Sequence, residues 1–153
     1  MHPTDKKILK LLQEDASLSI AEIAEKVHLS VAPCWRRIQR LKDAGVIRKQ
    51  VVLCNPNKLG VGVTVFVSVK TAQHNAAWFE RFAKGVAEIA EVVEFYRMSG
   101  DIDYLLRVVV KDIAGYDAVY KRLIRIAELH DVSSSFAMEQ IKYTTALPLD
   151  YAE

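Results

Sequence analysis

Arg36, Arg37 and Arg40 stand within a segment of sixteen residues, Ser-Val-Ala-Pro-Cys-Trp-Arg-Arg-Ile-Gln-Arg-Leu-Lys-Asp-Ala-Gly, at positions 30–45. Guanidinium groups donate to phosphate oxygens, and bidentately to the edge of guanine, so the chemistry on offer is recognition of DNA. The spacing predicts that the segment is one short helix. Ser30 can cap it and Pro33 falls early enough that its missing N–H costs little. Gly45 can take the left-handed conformation that ends a helix. Cys34, Ile38 and Leu41 share an apolar back, while Ala32, Arg36, Gln39 and Arg40 fall on the opposite face and Arg37 between the two. The candidate DNA contacts are therefore Ala32, Pro33, Arg36, Arg37, Gln39 and Arg40. Ala32, Pro33 and Arg36 sit near the helix N-terminus, which commonly points at bases. Standing alone, such a helix reads equally well as a solvated basic face.

The preceding residues supply what a DNA-reading helix needs. Thr4 to Asp15 reads as a helix, with Thr4 as cap and Ile8, Leu9, Leu11 and Leu12 as its stripe. Ser19-Ile20-Ala21-Glu22 has the form of a capping box, flanked by Leu18 and Ile23 as a hydrophobic staple. The second helix carries Ile20, Ile23, Ala24 and Val27 on one face and stops near His28. A helix, a tight turn and a basic helix form the helix-turn-helix pattern. Val46 to Leu53 is rich in β-branched residues and reads as a strand, a wing beside the groove. Asn55-Pro56-Asn57-Lys58 is a turn and a domain boundary. The expected division is residues 1–54 for DNA, 55–60 as linker and 61–153 as a second domain.

From Val61 the period changes to two. Val61, Val63, Val65, Val67 and Val69 alternate along a strand. A helix over Asn75 to Val86 buries Trp78, Phe79, Phe82, Ala83 and Val86. Strands over Glu91 to Met98 and Asp103 to Val110 flank the turn Ser99-Gly100-Asp101-Ile102. A helix over Ile113 to Ala127 has Ile113, Tyr116, Tyr120, Leu123 and Ala127 on its stripe, and Val132 to Met138 is the last strand. The order β-α-β-β-α-β is ferredoxin-like, and the fold class is α+β. Two helices cover only one face of such a sheet. Yet in Tyr104 to Val110 nearly every residue is apolar on both faces, and residues 139–153 are too polar to cover the second. The expectation is a homodimer formed through the bare face. Two DNA-reading helices then match a near-palindromic site.

Charge follows the same division. Residues 1–60 hold 11 Lys and Arg against 6 Asp and Glu, and the remainder 10 against 13, so a basic end sits on a mildly acidic body. The opening residues carry no apolar run of a leader, and no run is long enough to span a bilayer, which points to the cytoplasm. Cys34 and Cys54 show no zinc-ligand or redox spacing. Cys34, near a helix N-terminus and beside arginines, invites a redox-sensor reading, but its place on the apolar face favours packing. An enzyme is not supported. His2, His28, His74 and His130 are scattered, and there is no HExxH, Walker loop or nucleophile elbow, nor any metal or cofactor site. The aromatic signatures of an RNA-binding sheet are also missing.

Over almost its whole length the chain resembles the Lrp/AsnC (feast/famine) family of bacterial transcription regulators. Asp5 to Leu9 is similar to that family's opening helix, Leu29 to Ile38 to its recognition helix, Ser99 to Leu106 to its G-D-x-D-Y turn, and Ser134 to Lys142 to its last strand. Ser134 to Thr145 with Leu147-Pro148 is most similar to the subgroup of cysteine-responsive regulators of cysteine detoxification. The resemblance implies that the first domain binds double-stranded DNA, and that the second oligomerises, often to octamers, and senses a small amino acid. It places that effector at Gly100, Asp101, Asp103, Tyr104, Ser134, Ser135 and Phe136. The chemistry is suitable: backbone N–H groups at a glycine turn approach a carboxylate, and Asp101 or Asp103 meets an ammonium. Read without a ligand, Gly100 merely permits a hairpin and the serines are a polar strand edge. The corresponding alternative function is an architectural protein that bends or compacts DNA without an effector.

Overall fold

The computed structural model describes residues 1–126, 129 and 131–152. Ala127 and His130, both named above, lie outside the described residues. The chain forms two compact units, Met1–Val52 with Ile141–Glu153, and Leu53–Gln140. The tail from Ile141, which follows the second domain in the chain, groups in space with the N-terminal unit. The physical reason is specific. Leu149 packs against the helical core, and the Gln13 side chain holds the tail backbone at Leu147 by two hydrogen bonds, accepting from its N–H at 2.7 Å and donating to its carbonyl at 3.2 Å.

The first unit holds helices α1 (Pro3–Glu14), α2 (Ile20–Lys26) and α3 (Val31–Asp43). Their apolar faces meet in one core of Ile8, Leu9, Ile23, Ala24, Val27, Cys34, Ile38 and Leu41. Helix α1 starts a residue earlier than expected because His2, not Thr4, is the cap: the Thr4 N–H donates to His2 Nδ1 at 3.1 Å. The capping box of α2 is complete. Glu22 N–H donates to Ser19 Oγ at 3.2 Å, and Ser19 N–H donates to Glu22 Oε2 at 2.7 Å. Bonds from the Ser19 hydroxyl and amide hold the Glu22 carboxyl below its usual range. Ser19→Ala should cost about 0.5–2 kcal/mol, read as a lower denaturation midpoint of the full chain. An unchanged midpoint would show that the box is not needed.

The turn between α2 and α3 is closed by backbone bonds. His28 takes φ 57°, His28 N–H donates to the Glu25 carbonyl and Leu29 N–H to the Ala24 carbonyl, the paired pattern of a Schellman end. A histidine, not the usual glycine, occupies the left-handed position. After α3, Gly45 takes φ 70° as its position demanded. The expected strand over Val46 to Leu53 does not form. Ile47 turns inward, with its N–H on the Leu41 carbonyl at 3.0 Å, and among the described residues Arg48 to Leu53 join no ladder. Its apolar residues stay in solvent, Val52 at 88% exposure.

The second unit contains β1 (Val63–Lys70), α4 (Ala76–Ala87), β2 (Val92–Arg97), β3 (Tyr104–Val110), α5 (Ile113–Ile126) and β4 (Asp131–Phe136). The four strands form one antiparallel sheet in the order β2-β3-β1-β4, the ferredoxin-like topology. Alternation decides which side is covered. Val65, Val67, Val69, Leu106, Val108 and Val110 are buried under α4 and α5, which contribute Trp78, Phe82, Val86, Tyr116, Val119 and Leu123. Phe79 and Ile113 were expected in this core and are not, at 41% and 74% exposure. Ile113 is the first residue of its helix, beyond the reach of the sheet.

On the other side, Phe66, Tyr96, Leu105 and Val109 face solvent or are half-buried in the single chain, around an Arg107–Glu94 ion pair of 2.8 Å. Among the described residues of this unit no helix or strand covers that face.

Candidate functional site

In the first unit the candidate residues all lie on α3, positioned by its buried back. Cys34, Ile38 and Leu41 are at most 7% exposed, which turns Ala32, Arg36 and Arg40 outward, with Pro33 and Gln39 half-exposed beside them. Ser30 occupies the cap position in extended conformation but makes no side-chain cap bond. The unpaired N–H groups at that end and the two guanidiniums give a positive surface suited to phosphate and base edges. Arg40 and Lys42 stand in the last turn.

Arg37 differs from its neighbours. Its Nη1 donates to Asp5 Oδ1 on α1 at 2.9 Å, with both side chains mostly buried. It locks α3 to α1. The sequence placed Arg37 between the two faces of the helix and grouped it with the DNA contacts, and its partner 32 residues away had no local signal. The sequence also assigned no task to Trp35, which stands 48% exposed beside Arg36, with Val31 one turn before it at 52%.

Cys34 is fully buried, and burial raises its thiol pKa above the ordinary value, disfavouring the thiolate that a sensor needs. Its role is packing. Cys54 is exposed.

In the second unit the effector residues divide into two sets. Gly100, Asp101, Asp103 and Tyr104 form the β2–β3 turn and the start of β3. Gly100 takes φ 109°, and Met98 N–H closes the turn on the Asp103 carbonyl at 2.8 Å. Asp101 is exposed. Asp103 is held by two further bonds: its N–H donates to the Val69 carbonyl at 2.9 Å and its Oδ2 accepts from Thr71 N–H at 2.8 Å. Tyr104 is buried among Trp78, Phe79, Phe82 and Phe95, and burial raises its hydroxyl pKa, against a lesser lowering by Arg97.

Ser134, Ser135 and Phe136 are on β4, across β1 from β3, about 9–10 Å away at ordinary strand spacing. Ser134 pairs with Val67 and Phe136 with Val65, so both face the helices. The Ser134 hydroxyl bonds the Tyr116 hydroxyl, and the Phe136 ring meets Tyr116 edge-on at 5.3 Å. Ser135 points to the open face with its neighbour Phe66. One chain does not bring the two sets together.

A cavity of about 350 Å³ opens beside the first set. Gln73 to Ala76 of the β1–α4 loop line it with Phe79, Arg97, Met98, Asp103 and Tyr104. Only Asp103 and Tyr104 were legible as candidates, since the other segments converge in space alone. Among the described residues there is no cluster that could hold a metal ion, and no helix is long and apolar enough to cross a membrane.

Both units are similar to domains of known proteins. The model of the Lrp/AsnC ligand binding domain matches residues 64–147, and that of a winged helix-turn-helix DNA-binding domain matches residues 1–48. The DNA-binding transcriptional activator DecR of Escherichia coli (strain K12) is 50% identical over 147 residues, 95% of this chain and 97% of that protein. The crystal structure of an AsnC family transcriptional regulator from Agrobacterium tumefaciens superposes with a TM-score of 0.97 at 61% identity, each chain covered completely (100%). A transcriptional regulator from Neisseria meningitidis, solved as a complex with L-Met, superposes with a TM-score of 0.93 at 34% identity, covering 98% of this chain and 97% of its own.

Proposed function

The chain belongs to the Lrp/AsnC family of DNA-binding transcriptional regulators, and from that premise we propose which of its residues read DNA and which receive an effector. It is a DNA-binding regulator with a ligand-binding domain. Arg36 and Arg40, with Ala32, Pro33 and Gln39, enter the major groove from α3, and Arg37 braces that helix through Asp5. The carrying observation is the outward set of basic residues on a helix whose back is buried in a helix-turn-helix core.

The effector is a small amino acid, and L-cysteine is the first to try on the family resemblance. A related regulator holding L-Met supports the class. It binds at the end of the sheet marked by Gly100, Asp101, Asp103 and Tyr104. Ser134, Ser135 and Phe136 are too far away in one chain to share a ligand with that turn, so contact with both sets requires two copies. The open face of Phe66, Tyr96, Leu105 and Val109 supplies the first contact between copies, an isologous dimer that assembles further, to octamers in the family pattern. Light scattering at micromolar concentration should show a dimer or a multiple of it. A monomer would remove the dimer from this reading.

The protein acts by binding, not by catalysis, in the cytoplasm where its DNA lies. The alternative, an architectural DNA-compacting protein, is distinguished by titrating an operator and a scrambled duplex at several salt concentrations. A regulator keeps an affinity ratio of about 10³ or more between the two at physiological salt. An architectural protein binds both alike, with salt dependence carrying nearly all of the affinity.

A further inference from the structure

The N-terminal half of α3 leaves two large apolar side chains in solvent. Val31 and Trp35 are both exposed, and neither is part of the helical core that buries Cys34, Ile38 and Leu41. They stand one turn apart on the same ridge of the helix, and Trp35 is also one turn from Ala32 and from Gln39. Val31, Ala32 and Trp35 thus form an apolar strip beside the face that carries Arg36 and Arg40. Among the described residues Trp35 meets no other aromatic ring, whereas Trp78 stacks on Phe82 inside the core of the second unit. An exposed indole next to an exposed valine is a surface that gains free energy when something covers it.

Whatever covers the strip must also accept the charge beside it. The first turn of α3 holds no acidic residue, and Arg36 and Arg40 flank the strip. The major groove of DNA meets both demands. Its rim is anionic phosphate, and its apolar feature is the C5-methyl group of thymine. We infer that Trp35, supported by Val31, reads thymine: the indole covers C5-methyl groups in the groove while Arg36 and Arg40 engage base edges or phosphates beside it. Discrimination follows from the base edges. Cytosine presents an amino donor and no methyl at that place, which leaves the indole against a polar group. Trp35 and Val31 thereby join the DNA-contacting residues as specificity determinants. The assignment rests on the reading proposed above, that α3 enters the major groove.

The test is a cycle of affinities, measured by fluorescence anisotropy at fixed salt on the full-length protein. The duplex is the DNA upstream of its own gene, made either with thymine or with uracil at every thymine position, which removes the methyl groups and keeps the hydrogen-bonding edges. Wild type should prefer the thymine duplex, by about fourfold for each methyl covered. Trp35→Ala should bind the thymine duplex about tenfold more weakly and lose most of that preference, with an unchanged denaturation midpoint. Trp35→Phe, which keeps an apolar ring, should retain most of it. A Trp35→Ala variant that prefers thymine as strongly as wild type would overturn the assignment. Trp35→Phe falling as far as Trp35→Ala would also overturn it, and would make the indole N–H the recognising group. If wild type binds specifically and Trp35→Ala binds equally well, the indole serves a protein partner instead, and the placement of α3 in the groove stands. If wild type binds this duplex no better than a scrambled one, that placement fails and this assignment fails with it.

Discussion

Phe82→Ala should cost about 3–5 kcal/mol of stability, the largest single effect expected from a side chain in this protein. Phe82 is fully buried. Its ring stacks on Trp78 at 5.0 Å, meets Phe95 edge-on at 5.5 Å and lies 5.3 Å from Tyr104. Truncation loses the transfer energy of the ring and leaves a space that strands β2 and β3 cannot close without breaking their register. Tyr104 loses a neighbour, so the wall of the cavity beside it loosens along with the fold. Denaturant unfolding of the full chain, followed by the near-ultraviolet signal of the aromatic cluster, measures the loss. A cost below about 1 kcal/mol would mean that the cluster repacks freely, contrary to a core of this density.

Arg36→Ala should cost about 1–3 kcal/mol in operator affinity and relax specificity at one base position if the guanidinium reads a base edge. Arg36 is exposed on α3, one turn after Ala32, and Cys34 and Ile38 at its back hold the helix in place. Fluorescence anisotropy on the operator and on single-base variants separates the two roles. A loss equal on all sequences, with a shallower salt slope, would assign Arg36 to phosphate. Arg37→Ala provides the contrast. Its bond to Asp5 makes it a brace, so its loss appears first as a lower denaturation midpoint.

Much of this arrangement is legible in the sequence. The capping box at Ser19 and Glu22 is local chemistry, and it formed as written. The alternation of Val63 to Val69 fixed which side of β1 is buried, because a period of two admits only one choice. The buried stripe of α3 followed from residues i, i+4 and i+7. What escaped depends on partners distant in sequence. Arg37 reads like Arg36 until Asp5 arrives from α1. Arg97, His74 and Phe79 carry no joint motif, and only folding places them around one cavity. Val46 to Leu53 has the composition of a strand, but a strand needs a neighbour, and none pairs with it among the described residues. The tail follows β4 in the chain, and its packing depends on Leu149 and the Gln13 clamp, whose partners are distant in sequence.

Binding to the DNA upstream of the protein's own gene, against scrambled competitor at fixed salt, with and without each amino acid, tests regulation by an amino acid most directly. The expected result is tight, sequence-specific binding whose affinity or stoichiometry shifts with one small amino acid, L-cysteine tried first. Binding that competitor removes easily and that no amino acid changes would contradict it, leaving a DNA-compacting protein with no effector.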